Sequence, residues 1–159
     1  MSTSENQPDH AGVLFPPPFI FLGFLMAGVL GEVLLPTFIF EPGWGRFIFG
    51  VPLFLAGASL IIWAVQLFNA HKTGIPPWSK SKAIVNVGPY RRTRNPMYIG
   101  MTLMYAGLAM LFASLYALLL LPVVLVIINT YVIAREEAYL TRKFGPDYLA
   151  YCQQVRRWL

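Results

Sequence analysis

Charged residues are scarce in this chain of 159 amino acids. Only 12% of the residues are Asp, Glu, Lys or Arg, whereas 57% are hydrophobic. A soluble globular domain carries about 25% charged residues, and a water-soluble fold of this length cannot hide so much apolar surface. The composition therefore excludes an ordinary soluble domain and predicts an integral membrane protein with one domain.

The chain also lacks the residues needed for a disulfide, a metal site or a cleaved secretory signal. Cys152 is the only cysteine, which excludes an internal disulfide. His10 and His71 show no metal-ligand spacing with other residues, so no metal site is predicted. No Lys or Arg precedes the first apolar run, so the basic n-region of a cleaved secretory signal is absent and this segment is expected to be retained. The net charge of +5 comes from residues that flank apolar runs, which indicates membrane topology and no nucleic-acid partner.

Long apolar runs predict four transmembrane helices. The first covers residues 19–40 and reaches about 33 Å, enough for a hydrocarbon core of about 30 Å. The second covers residues 47–69 and contains no ionisable side chain. The 38 uncharged residues from Met97 onward are about twice the length that one crossing needs. They are predicted to fold back into spans 97–114 and 116–134.

Lys and Arg are distributed unevenly among the polar segments. One of them, Arg46, lies between the first two spans, six lie in the loop 70–96, and five lie in the tail 135–159. Because Lys and Arg concentrate in cytoplasmic loops, this loop and this tail are predicted to be cytoplasmic. An even number of spans then places the amino terminus on the same side, in the inner membrane if the protein is bacterial.

The loop ends in a stretch rich in arginine and proline. Asn95 is a favourable cap and Pro96 a favourable first residue, so a helix is predicted to start here. The free N–H groups at such a helix start, with Arg94 close by, suit a carboxylate or a phosphate. Taken alone, the arginines are explained more simply as anchors to anionic lipid.

Three acids stand at unusual positions. Glu136 and Glu137 follow the fourth span directly, where basic residues are usual and the end of a helix disfavours negative charge. One of them is expected to pair with arginines of the loop and the other to meet an amine or a sulfonium, although a purely structural ion pair is an equal alternative. Glu32, inside the first span, is a functional candidate by default, with a hydrogen-bonded acid as the alternative.

Taken in order, these motifs resemble the carboxyl-terminal pattern of a family of membrane methyltransferases. The family includes relatives of isoprenylcysteine carboxyl methyltransferase and phospholipid N-methyltransferase. Its pattern is Gly-Pro-Tyr-Arg, then Arg-His-Pro-x-Tyr-x-Gly opening a helix, an apolar hairpin, and Glu-Glu-x-x-Leu. The corresponding segments in this chain are residues 88–91, 94–100, 102–134 and 136–140. The resemblance covers nearly the last half of the chain.

The resemblance implies an all-α membrane fold in which the cytoplasmic loop and a helical tail enclose S-adenosylmethionine. A lipophilic or small acceptor with a carboxylate, amine or thiol would reach it from the membrane. The implied catalytic residues are Arg94, Arg135 and Glu137. The implied cofactor-binding residues are Gly88, Tyr90, Arg94, Asn95, Pro96, Tyr98, Gly100, Glu136 and Glu137. Asn95 replaces the family's histidine, and since an amide does not titrate near neutral pH, it keeps hydrogen bonding but not proton transfer.

Two other functions account for parts of the sequence. A small four-helix, proton-coupled exporter would use Glu32 to bind cationic compounds, but it leaves the loop and the acidic pair without a role. An NADPH-dependent reductase resembling the sterol reductases would share the architecture of the second half, although such enzymes have more spans. The sequence does not indicate an oligomeric state.

Overall fold

The computed structural model describes residues 11–37, 43–71 and 83–159. Within these ranges the regular structure is helical and contains no strand, which confirms the predicted all-α fold. The long helices are α1 (Pro17–Leu34), α2 (Gly45–Ala70), α3 (Pro96–Leu111) and α4 (Leu115–Ile127). A π-helical turn (Ile128–Ile133) joins α4 to α5 (Ala134–Phe144), and α6 (Pro146–Gln154) follows, while a 3₁₀ turn (Gly88–Arg91) precedes α3.

Three helices are long and apolar enough to cross a membrane. They are α1 with 18 residues, α2 with 26, and the continuous helix Leu115–Phe144 with 30, while α3 is apolar but shorter. The first span was predicted to continue to residue 40, but α1 ends at Leu34, and residues 38–40 lie outside the described part. Residues 72–82 of the predicted cytoplasmic loop also lie outside it. The described helices therefore form a membrane-like fold.

Helices α2 and α3 pack through two pairs of glycines. Gly50 and Gly57 on α2 face Gly107 and Gly100 on α3, respectively, so the two helices run antiparallel. A Cβ atom on Gly57 would lie 2.4 Å from the carbonyl oxygen of Gly100, and one on Gly107 would lie 2.7 Å from that of Gly50. Small residues let membrane helices approach this closely. The contact fixes the position of α3, whose first turn carries much of the candidate site.

The turn between α3 and α4 is held by Ser114 and Glu32. The Ser114 hydroxyl donates to the carbonyl of Gly28 (2.9 Å) and accepts from the N–H of Ala117 (3.1 Å), so it caps α4 and ties it to α1. One oxygen of Glu32 accepts bonds from the N–H and the hydroxyl of Thr37, both at 2.7 Å, and the other accepts from the N–H of Leu115 at 2.9 Å. Glu32 thus lies in the last turn of α1, and its negative charge suits the start of α4.

Polar segments gather at the opposite end of the helices from Glu32. The N–H of Leu14, before α1, donates to the hydroxyl of Tyr131 (3.2 Å), and Arg135 donates to the carbonyl of Gly12 (2.9 Å). At this same end Thr93, before α3, forms a parallel bridge with Arg156. The described start of the chain, the segment before α3 and the tail therefore lie together.

Candidate active site

The tail docks on the segment that starts α3. The N–H of Arg94 donates to the carbonyl of Arg156 (2.9 Å), and both the Thr93 hydroxyl (3.1 Å) and the Asn95 amide (2.9 Å) donate to the carbonyl of Arg157. The side chain of Asn95 therefore does not cap α3 as the sequence predicted. Only its backbone carbonyl engages the helix, by accepting from the N–H groups of the third and fourth residues after the cap.

Glu137 joins the helices to the tail through two arginines. One carboxylate oxygen accepts from Nη2 of Arg94 at 2.9 Å and from Nε of Arg157 at 3.1 Å, and the other accepts from Nη2 of Arg157. Arg94 also donates through Nη1 to the carbonyls of Cys152 (3.1 Å) and Val155 (3.3 Å). The bond from Arg157 to Glu137 raises the pKa of the arginine above its ordinary value. Glu137 therefore pairs with an arginine of the loop, as both alternatives for the acidic pair expected of one of its members.

Glu136 has a different environment from its neighbour. It lies beyond the predicted fourth span, is half-buried, and accepts a hydrogen bond of 2.8 Å from the hydroxyl of Tyr98. None of the described arginines or lysines forms an ion pair with it. Burial, supported by the nearby charge of Glu137 and opposed by the bond from Tyr98, raises the pKa of Glu136 to about 7. The carboxyl group is thus poised to change protonation state near neutral pH.

Tyr90 completes this polar cluster. Its side chain is buried, and its hydroxyl has no hydrogen-bond partner among the described residues. Burial raises its pKa far above the ordinary value, and Glu136 is close enough to add to the effect. We call Tyr90, Tyr98 and Glu136 the carboxyl–phenol cluster. It contains one carboxyl group and two phenols. Of the two phenol hydroxyls, that of Tyr90 remains available to a ligand.

Packing against α2 and α6 sets the position of Tyr90. Its ring lies 5.2 Å from that of Phe68 on α2, and its carbonyl accepts a bond of 2.8 Å from the hydroxyl of Tyr151 on α6. Gly88 opens the 3₁₀ turn with a positive φ of 57°, a conformation that favours glycine. A Cβ there would also lie 2.8 Å from Leu67 of α2. Gly88 and Gly100 therefore serve the site through close packing.

The structure brings most of the predicted site residues together. Gly88, Tyr90, Arg94, Asn95, Pro96, Tyr98, Glu136 and Glu137 lie around the start of α3, where α5 and the tail meet it. Arg135 is not among them, since its guanidinium stacks on Tyr131 and bonds to Gly12 on another face of the helix. Glu32 is at the other end of the molecule.

Sequence reasoning missed two residues of the site. Arg157 was noted only as a tail residue, yet it pairs with Glu137. Asn129 was not singled out, yet its side-chain oxygen accepts from Arg157 at 3.3 Å and from the indole N–H of Trp158 at 3.1 Å. An amide within an otherwise apolar run was the available signal, since polar side chains within membrane helices often bond to other elements.

A family model described as phospholipid methyltransferase matches residues 45–147, which include the carboxyl–phenol cluster, Arg94 and Glu137. The chain belongs to the phospholipid methyltransferase family. The resemblance predicted from the sequence is thus confirmed, and membership implies a membrane methyltransferase. Residues 1–44 and 148–159, with Arg157, lie outside the matched segment.

One relative is an uncharacterised protein of Haemophilus influenzae. It is 40% identical to this chain over 63 residues, which make up 40% of this chain and 100% of that protein. No solved structure showed significant similarity to the chain.

Proposed function

We propose that this protein is an S-adenosylmethionine-dependent methyltransferase that modifies a lipophilic or small acceptor at the cytoplasmic surface of the membrane. The carboxyl–phenol cluster carries this proposal. Among the described residues, its half-buried acid has no cationic partner and the hydroxyl of its buried Tyr90 has no hydrogen-bond partner, and both groups lie next to the start of a helix. Such groups match a ligand that carries both a positive charge and hydroxyl groups.

The residues of the cluster suit the parts of S-adenosylmethionine. The carboxylate of Glu136 would hold the amine or the ribose hydroxyls, and the phenol of Tyr90 supplies a further hydrogen bond. The ring of Tyr98 would pack on the cofactor, since aromatic faces attract cations. The positive end of α3, where the N–H of Met97 has no bond among the described residues, would favour the cofactor's own carboxylate. When bound, the cofactor supplies an electrophilic methyl group.

In this proposal Arg94, Asn95 and Glu137 are positioning residues. Both Nη atoms of Arg94 are bonded to Glu137 and to tail carbonyls, and its Nε is buried without a partner among the described residues. The three side chains hold the tail and α5 against the start of α3, which fixes Glu136 opposite Tyr98. Methyl transfer is an in-line displacement that needs donor and acceptor held about 3–3.5 Å apart, so this rigidity matters for rate.

Isothermal titration of the detergent-purified protein with S-adenosylhomocysteine, the demethylated product, tests this function. We expect saturable binding by the wild type that weakens about tenfold or more in Glu136→Gln, the usual effect of losing a charge-assisted hydrogen bond. Asp147→Asn is the matched control, because it makes the same chemical change at an exposed carboxylate nearby and should bind normally.

Two results would contradict the proposal. If Glu136→Gln binds S-adenosylhomocysteine as tightly as the wild type, Glu136 does not contact the cofactor. If the folded, monodisperse wild type binds NADPH and not S-adenosylhomocysteine, the protein is a reductase of related architecture.

A further inference from the structure

A groove lies on a different face of the molecule from the carboxyl–phenol cluster. It runs between α1 and the π-helical turn, encloses about 650 Å³ and is open along one side. Ile20, Gly23 and Ala27 of α1 line it, together with Phe15, Phe19 and Tyr131. Ligand sites commonly enclose about 300–1,000 Å³, so this groove is large enough to hold part of a molecule.

The chemistry of the lining selects an apolar occupant. Among the described lining residues only Tyr131 has a polar side chain, and its hydroxyl already accepts a bond from the N–H of Leu14. Gly23 meets nothing within 4 Å of the position of a Cβ, so the groove is open to the membrane side of α1 at this point. An occupant with hydrogen-bonding groups at this depth would leave them unsatisfied, whereas a hydrocarbon chain would not.

Arg135 supplies a positive charge one turn beyond Tyr131. Its guanidinium lies 4.5 Å from the centre of the Tyr131 ring and uses only Nη1, on the carbonyl of Gly12. The other N–H groups have no partner among the described residues, and the side chain is exposed. Arginine presents its donors in a planar fork that fits phosphate oxygens. The residue follows the last apolar residue of the predicted fourth span, the depth at which lipid phosphates lie.

We propose that this groove holds one acyl chain of a bilayer glycerophospholipid, with Arg135 bound to the phosphate of the same lipid. The groove is apolar along its length and has a cation at one end. Such a lipid has the matching order, with an apolar acyl chain followed by an anionic phosphate. The site is separate from the carboxyl–phenol cluster, because consecutive residues on a helix point about 100° apart and Arg135 and Glu136 face different sides. The proposal therefore does not depend on methyl transfer.

Native mass spectrometry of the full chain in detergent tests the proposal with three probes. They are dioleoylphosphatidylglycerol, dioleoylglycerol, which lacks the phosphate, and glycerol 3-phosphate, which lacks the chains. Gly23→Trp and Ala27→Trp fill the groove from two positions, and Val33→Trp is their control because it places the same side chain at an exposed position of α1 outside it. Arg135→Gln removes the cation, and Arg92→Gln, at another exposed arginine, is its control.

We expect the wild type to bind dioleoylphosphatidylglycerol at least about tenfold more tightly than either other probe, the effect of one well-placed interaction. Gly23→Trp, Ala27→Trp and Arg135→Gln should each weaken this binding by about tenfold, and both controls should match the wild type. Circular dichroism and gel filtration establish that each variant is folded, and the two groove-filling variants provide independent readouts.

Wild-type affinity in whichever groove-filling variant folds would overturn the placement of the chain. Equal binding of dioleoylglycerol, or wild-type affinity in Arg135→Gln, would overturn the phosphate contact. Glycerol 3-phosphate binding as tightly as the lipid would exclude a contribution from the groove.

Discussion

Glu136 and Glu137 are neighbours in sequence with opposite environments. Glu137 is held by Arg94 and Arg157, whereas Glu136 has, within the described part of the chain, only the hydroxyl of Tyr98. Consecutive residues on a helix point about 100° apart, so one acid faces the tail and the other faces the carboxyl–phenol cluster. Glu137 thus holds the site together, whereas Glu136 is available to bind a ligand.

The raised pKa of Glu136 predicts a specific pH dependence of stability. The carboxyl group titrates near its ordinary value of 4.5 when the chain is unfolded and at about 7 when folded. Folding therefore favours the protonated form, so its stabilising effect is complete below pH 4.5 and is lost as the pH rises through about 7. The free energy involved is at most about 3 kcal/mol, at 1.36 kcal/mol for each pKa unit.

Thermal unfolding in detergent between pH 4.5 and 8 measures this effect. The melting temperature of the wild type, relative to that of Glu136→Gln, should fall across the interval from pH 4.5 to 7 and then level off. A constant difference across the whole range would mean that Glu136 titrates normally in the folded protein.

At the scale of elements, the glycine pairs bring α2 and α3 into backbone contact. We predict that Gly57→Ala destabilises the protein by about 1–3 kcal/mol, the usual cost of overpacking, because the added Cβ would lie 2.4 Å from the carbonyl oxygen of Gly100. Gly23→Ala is the control, since nothing lies within 4 Å of its Cβ position and helical alanine is favoured over glycine. Melting temperatures in detergent compare the two variants. An unchanged value for Gly57→Ala would mean that the two helices are not so closely packed.

The elements differ in how far the sequence could predict them. Uncharged runs and prolines at helix starts, such as Pro96, indicate helices directly, because both are local signals. The π-helical turn could not be predicted, since no residue type in Ile128–Ile133 distinguishes a π-helical from an α-helical bond pattern. The family motif named Tyr98 and Glu136, but the pairing of Glu137 with Arg157 depends on how the tail folds back. That pairing is a tertiary contact over 20 residues, with no local signal.

At the scale of the whole molecule, the two ends of the helix bundle differ in character. One end carries the segment before α3, the tail and their arginines, and the other carries Glu32 and the turn at Ser114. The positive-inside rule predicts that the first of these ends is cytoplasmic. The candidate site would then have access to cytoplasmic cofactor and to lipid of the inner leaflet.

Reporter fusions in a bacterial host test this orientation. Green fluorescent protein at the carboxyl terminus should fluoresce, since it matures in the cytoplasm and not after export in unfolded form. Alkaline phosphatase fused after Gly43, between the first two spans, should be active because it requires the periplasm. The same phosphatase fused after Leu159 is the control and should be inactive. The reverse pattern would place the candidate site outside the cell.

The direction in which the acidic pair points also depends on the number of residues in the π-helical turn that precedes it. A π-helical turn holds about one residue more than an α-helical turn, so it absorbs an extra residue while the helices on either side keep their register. If the same residues took up α-helical bonding, every later side chain would turn by about 100°, the advance of one residue in an α-helix. Glu136 would then leave Tyr98, and Glu137 would leave Arg94, although every motif residue would still be present in the sequence. Relatives with one residue fewer in this segment can therefore present the acidic pair in the same direction from a continuous α-helix.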